Sequence, residues 1–315
     1  MKKIVTLILC LLFIGTIIYK INDITDYLSN TLLKNHTLVI KDSNEYTKNY
    51  DFTFVKRSND YIPHSIQDLK DIIFSTLNNG WDEFTFYCPQ EYKSCLSDME
   101  DLTNDKVTFA HISNYVHPYN SYEGINTVIN ESGEITINIT KLYTSKEINE
   151  INIKVDEIIN NNFNKNDDDY TNLKRIHDYI INNTKYDIER NNTNNSPYLS
   201  YTAYGPALQG YATCNGYTDL MAIILSKLGY ENAKVATTSY DLGDNLKGHV
   251  WNVVKIDGKW LHLDLTWDDP VGTDGLDYLY HKYFLVTKEE MASADGGDVK
   301  LTEHNFNQEY YSEFN

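Results

Sequence analysis

Basic residues are scarce in this sequence: Lys and Arg number 27 against 45 Asp and Glu, for a formal charge of −18 and a pI near 4.8. No stretch gathers them into a stripe. Nucleic acid and anionic membrane surfaces both require a basic footprint, so neither is expected as a partner. Internal repeats are missing as well. Cysteines number only 4, and no second Cys or His pair at ligand spacing accompanies the close pair Cys88 and Cys95, which argues against a zinc site. The acidic run Asp167, Asp168, Asp169 lacks the alternate spacing and the glycine of an EF-hand, and reads as a solvated loop. No metal or other cofactor is expected.

A hydrophobic share of 41%, an aromatic share of 13% and 26 tyrosines suffice for a packed core, and at 315 residues two units are expected, because single cores stop growing at roughly 250 residues. One long apolar run exists, IVTLILCLLFIGTIIY at residues 4–19, flanked by Lys2, Lys3 and Lys20. It has the character of a secretory signal or a membrane anchor. No small-x-small cleavage site follows it, which favours an anchor that partners the membrane. Leu9 stands where a lipoprotein signal carries a small residue, so Cys10 reads as a membrane-buried thiol. The positive-inside rule then places the remainder outside the cytoplasm, or secreted if the segment is cleaved. In an oxidising compartment Cys88 and Cys95 can pair, leaving Cys214 as a free thiol.

The chain divides into an anchor over 1–20, a polar stalk over 21–60, a small α+β domain over 61–143 and a catalytic domain over 144–315. In the third unit, Ser65 and Gly80 bracket an amphipathic helix with apolar Leu69, Ile72, Ile73 and Leu77. WDEFTFYC alternates as a strand, and INTVINESGEITINIT reads as a hairpin. From Ser145 the pattern turns helical, with an Asn/Asp break at NKNDDDYTN before LKRIHDYIINNTKYD. Residues 190–203 form a polar loop.

Cys214 begins CNGYTDLMAIILSKLGY, a helix with a stripe of Leu220, Ile223, Ile224 and Leu228 and a stop at Gly229. At a helix N-terminus the unpaired N–H groups and the positive end of the macrodipole favour the reactive thiolate. Further on, GHVWNVVKIDGKWLHLDLTWDDP holds two alternating runs joined at Asp257 and Gly258, a two-residue hairpin signal. A turn centred there makes paired positions sum to 515, so Trp251 faces Asp264 and His249 faces Thr266 on one face. His249 and Asp264 become diagonal neighbours. An Asp in mid-strand among aliphatic residues is costly without a partner, and an imidazole supplies one. His177, His262 and His281 are competing histidines. Thiolate, base and orienting carboxylate are the parts of thiol catalysis.

The segments GYATCNGYTDLMAIILSKLGY and GHVWNVVKIDGKWLHLDLTWDDP resemble the core signature of the transglutaminase-like superfamily. That signature has a Cys-x-Gly-Tyr at a helix start, a His-x-Trp-Asn strand and a Trp-x-x-x-Asp-x-Thr-Trp-Asp strand. IHDYIINNTKYD resembles the helix preceding this core in bacterial members, and the resemblance spans roughly residues 170–290. It implies Cys214 as nucleophile, His249 as base and Asp264 as orienting residue. It further implies an α+β, papain-like fold in which the cysteine helix packs on an antiparallel sheet. Thr213 departs from the pair that many relatives carry before the Cys. The oxyanion-hole side chain is not identifiable, with Gln209 only a weak candidate beside the Cys214 amide.

The expected function is cysteine-dependent acyl transfer outside the cytoplasm on a protein or peptide amide, through a Cys214 thioester passed to water or to an amine. The alternative is a non-catalytic binding or scaffold module on the same fold, with recognition carried by the N-terminal α+β unit.

Overall fold

The computed structural model describes residues 20, 21, 25, 40–49, 51–193, 195–237, 248–271, 278–296 and 303–314. The apolar segment at 4–19 lies outside them. Among the described residues no helix is long and apolar enough to cross a membrane.

Helix α1 (Ile66–Asn78) starts where the Ser65 hydroxyl accepts the Asp68 amide. Its stripe of Leu69, Ile72, Ile73 and Leu77 is buried as the periodicity predicts. Strand β1 (Glu83–Tyr87) is followed by two helices that the sequence reading did not contain, α2 (Cys95–Asn104) and α3 (Lys106–Ser113). The hairpin β2 (Tyr122–Ile129) and β3 (Glu134–Lys141) follows. These strands form an antiparallel sheet in the order β1-β3-β2. Cys88 and Cys95 are joined by a disulfide with Cα atoms 5.8 Å apart, at the entry to α2.

Next come α4 (Ser145–Asn162), capped by a reciprocal Thr144–Glu147 box, and α5 (Asp169–Asn182). The acidic run between them is structural: Asp168 caps α5 by accepting the Thr171 amide, and Asp167 pairs with Arg175. Strand β4 (Lys185–Tyr186) and helix α6 (Ile188–Thr193) lead to a π-helical turn at Gly205–Gln209. Strand β5 (Tyr211–Ala212) pairs in parallel with β4. Helix α7 (Cys214–Leu228) is followed by β6 (Asn232–Thr237), β7 (His249–Ile256) and β8 (Lys259–Leu263). The last elements are the short α8 (Leu265–Asp268), β9 (Phe284–Val286) and α9 (Lys288–Ala294). Strands β6 to β9 make a second antiparallel sheet in chain order.

Alternation along β6 and β7 divides the molecule into two cores. Ala233, Val235, Trp251 and Val253 join Phe74, Phe86 and Ile137 of the N-terminal unit and Phe306, Tyr311 and Phe314 of the C-terminal segment. Val254 and Leu263 join Leu220, Ile223 and Ile224 of α7 and Leu173 and Ile176 of α5. Each such buried aliphatic side chain stabilises the fold by roughly 1.5–3 kcal/mol, so α7 is anchored firmly to the sheet. The expected α+β architecture, a cysteine helix on an antiparallel sheet, is observed.

Within the stretch read as a polar stalk, Phe52 and Val55 enter the first core. Lys48 is buried too, its Nζ donating to Asn232 O at 3.1 Å and to Asn232 Oδ1 at 3.2 Å. Burial, followed by repulsion from Lys234, pushes the Lys48 pKa down to about 7. Irregular chain held by distant contacts has no local period by which to announce itself.

Candidate active site

Cys214 is the first residue of α7. Thr213 before it is extended and makes no side-chain cap, although its Oγ1 donates to Ser200 O at 3.3 Å. The chain needs Gly216 here, because a Cβ at that position would stand 2.2 Å from Ser200 O. Two side-chain hydrogen bonds then tie this helix to β7. Thr218 Oγ1 donates to Val250 O at 3.0 Å, and Asn252 Nδ2 donates to Thr218 O at 2.9 Å. The Asn of the His-x-Trp-Asn strand thus fixes the distance between thiol and imidazole. Cys214 is the free cysteine of the described residues and is partly exposed.

His249 opens β7 and is buried at 5% exposure. Its Nε2 lies 2.5 Å from Asp264 Oδ2, and the Cys214 side chain is near enough to help raise the ring's pKa. With Nε2 taken by the carboxylate, Nδ1 is left for the thiol. The imidazole stacks on Trp251 with centroids 5.6 Å apart. Burial alone would push its pKa down, but Asp264 and then Cys214 outweigh that effect and raise it well above 6.5.

The predicted register holds through β8, where Val253 faces His262 and Asn252 faces Leu263. It stops there, which corrects the reading of Asp264 as a mid-strand residue paired across from Trp251 and of Thr266 as its neighbour on the same face. Asp264 is the N-cap of α8, its Oδ1 accepting the amides of Thr266 at 2.9 Å and Trp267 at 3.3 Å. A cap frees the carboxylate from the strand's alternation and leaves Oδ2 for imidazoles. The second imidazole belongs to His304, whose Nε2 is 3.0 Å from the same Oδ2. His304 Nδ1 is 3.0 Å from Asp295 Oδ2, and Asp295 Oδ1 accepts the Tyr283 hydroxyl at 3.0 Å. Burial would raise the Asp264 pKa; the charges and hydrogen bonds of His249 and His304 hold it well below the carboxylate range. His304 is raised in turn, Asp264 and Asp295 overcoming burial.

The competing histidines resolve on contacts. His262 accepts the Trp251 indole N–H on Nδ1 at 2.9 Å and meets Phe314 O with Nε2 at 3.1 Å, and burial pushes its pKa down to about 4. It is a neutral prop beneath Trp251. His177 and His281 gather around Asp178 and Asp268, away from the thiol. Gln209 sits in the π-helical turn with Oε1 accepting the Leu199 amide at 2.7 Å, a loop-holding contact.

Two cavities flank the Cys214 end of α7. One of about 440 Å³ is lined by Asn215, Asp219, Lys234, Tyr201 and Tyr122. The other, of about 260 Å³, is lined by Tyr186, Trp267, Asp269 and Glu303. The Tyr186 pKa is raised first by burial and next by the charge of Cys214, which puts its phenol in the thiol's neighbourhood. A larger cavity, about 580 Å³, is lined by Lys48, His117, Ile223 and Ser226 and lies toward the other end of α7. The motif's Tyr217 donates its hydroxyl to Asp269 and so holds the segment after α8.

No curated protein matches the chain. Among solved structures, a TGase is similar at 16% identity with a TM-score of 0.33, over 46% of this chain and 44% of that one. A protein from Cytophaga hutchinsonii assigned as a cysteine protease is similar at 15% identity with a TM-score of 0.29, over 50% of this chain and 65% of that one. The chain thus spans less than two thirds of the length of either. Residues 157–265, a stretch that holds Cys214, His249 and Asp264, match the model of the transglutaminase-like superfamily. Residues 157–265 of this chain therefore form a transglutaminase-like domain.

Proposed function

We propose that the protein is a membrane-anchored, extracytoplasmic enzyme of acyl transfer acting on protein or peptide amides, with Cys214 as nucleophile, His249 as base and Asp264 as its orienting carboxylate. The observation that carries this reading is the convergence on His249 of the nearby Cys214 thiol, which helps raise its pKa, and of a buried Asp264 that also meets His304.

His249 takes the thiol proton, and Sγ attacks the amide carbonyl. The Cys214 N–H, unpaired at the helix start, donates to the developing oxyanion. The imidazolium, stabilised by Asp264, then protonates the departing amine, leaving a thioester. Water or a primary amine accepts the acyl group. Water is the favoured acceptor because it requires no dedicated pocket, whereas an amine must exclude it. The location outside the cytoplasm is supported by the apolar segment at 4–19 and by the Cys88–Cys95 disulfide.

The test is turnover of peptide amides by the full chain in detergent, with and without an added primary amine, alongside alkylation of Cys214. Acid release independent of amine supports hydrolysis, and amine incorporation supports cross-linking. A thiol that alkylates no faster than free cysteine, with no turnover of either kind, would assign the fold to a scaffold role.

A further inference from the structure

Beside Asp268, the last residue of α8, lies a second cluster of two histidines and an aspartate. His177 and Asp178 are on α5, and His281 is on the segment entering β9. His177 Nδ1 is 3.0 Å from Asp178 Oδ1, and His281 Nε2 is 2.6 Å from that same oxygen. These three atoms all lie within 4.8 Å of one another. Asp178 Oδ2 is occupied by Lys174 Nζ at 2.6 Å, which fixes the carboxylate and leaves Oδ1 to the histidines.

The second nitrogen of His177 shows the arrangement's purpose. His177 is fully buried, and its Nε2 has no hydrogen-bond partner. It stands 3.3 Å from Asp268 Oδ2, a buried carboxylate that also accepts the Tyr283 amide at 3.1 Å. A neutral imidazole carries one N–H and cannot serve two carboxylates, so without an ion only the imidazolium form meets both. A metal on Nδ1 with the N–H on Nε2 turned to Asp268 satisfies both sides, and a carboxylate behind a ligating histidine is the usual outer support of such a site. Asp178 and His281 are partly exposed, so the site opens to solvent for entry and for a water ligand.

We propose that His177 Nδ1, Asp178 Oδ1 and His281 Nε2 form a binding site for a divalent cation of the zinc type, with Asp268 as its outer carboxylate. Two nitrogens and one oxygen suit zinc and disfavour calcium or magnesium, which take oxygen shells. Bonds of about 2.0–2.1 Å in tetrahedral geometry separate ligand atoms by roughly 3.3 Å, so small side-chain rotations suffice. The ion would staple α5 to the chain at 281. It would also bear on Asp268, whose N–H donates to Asp264 O at 3.2 Å.

The test uses the full chain carrying Cys214→Ala, so that the thiol contributes no zinc ligand and the result is independent of the acyl-transfer reading. Titration with Zn²⁺ after chelator treatment is expected to show one site per chain, with a rise in Tm, and Co²⁺ to give tetrahedral absorption bands. His281→Ala, at a partly exposed position that leaves the core intact, should weaken binding by tenfold or more, and Asp268→Asn by about 10- to 100-fold. Absence of saturable Zn²⁺ binding overturns the proposal. Binding that His281→Ala and Asp178→Asn leave unchanged overturns it equally, by placing the ion elsewhere.

Discussion

The molecule builds the same trio, two histidines around one aspartate, twice: once at the N-cap of α8 and once beside its last residue, Asp268. Around Asp264 every member is buried: Asp264 is 1% exposed, His249 5% and His304 1%. Around Asp178 only His177 is fully buried, and the aspartate and His281 reach solvent. Composition is therefore no guide to chemistry here. In the dry cluster each charge acts through little screening, and a thiol at a helix terminus stands beside it. In the wet cluster there is no thiol, water screens the charges, and an ion from solution can enter.

The sharpest way to break the comparison is to remove what only the dry cluster has. Cys214→Ala is expected to abolish covalent labelling and turnover while leaving circular dichroism and Tm near wild type, because a partly exposed first-turn residue fills little core. Turnover at the wild-type rate in that variant would remove the nucleophile from the account and leave two structural histidine clusters.

Next in size is Asp264→Asn. The amide oxygen can still cap α8, so the local backbone should stand, yet His249 loses its counter-charge and its fixed tautomer. A fall in kcat of roughly two to four orders of magnitude is expected. Because His304 loses the same partner, Tm should fall as well, and that two-sided loss separates this carboxylate from one serving a single imidazole. Unchanged alkylation and turnover, with only Tm reduced, would make the buried trio purely structural.

A smaller effect is expected at His304, which touches no reacting atom and positions Asp264. His304→Leu keeps bulk and removes both hydrogen bonds; kcat should fall about tenfold, the equivalent of one pKa unit in the field at His249, with KM unchanged. His304→Gln, which restores a donor, should recover part of the loss. A change in KM alone would move His304 from the catalytic carboxylate to the substrate cleft.

His304 is also where the sequence is least legible. Cys214 at a helix start, the Asp257–Gly258 turn with both residues at positive φ and the sum rule through β8 are local features, and local periodicity exposes them. The meeting of Asp264 with a histidine 40 residues away depends on how the C-terminal segment folds back over Trp251 and Trp267. That segment has no period of its own. The cap role of Asp264 was hidden for a related reason, since Leu265 and Trp267 continue the hydrophobic alternation although the strand has ended at Leu263. Helices α2 and α3 were missed because CLSDMEDLTN and KVTFAHIS are short and weakly patterned, and packing against α1 decides them.

The smallest effect belongs to the wet cluster without metal, and its size changes with pH. Burial lowers the His177 pKa, but Asp178 and Asp268 overcome it and leave it raised above 6.5. This contribution to stability is complete below pH 6.5 and fades as pH rises through the folded value. Burial likewise raises Asp178, but His177, Lys174 and His281 hold it well below 3.8. Its contribution is complete above pH 3.8 and fades as pH falls through the folded value. The two overlap between about pH 4 and 6.5. In chelator, Asp178→Asn should therefore lower Tm most within that window and less on either side, by a few degrees at most, because partly exposed pairs contribute only about 0–1 kcal/mol. Asp264→Asn, measured alongside, should show the larger drop. Equal losses in the two variants would mean that burial does not distinguish the clusters, and the contrast between them would have to rest on the thiol alone.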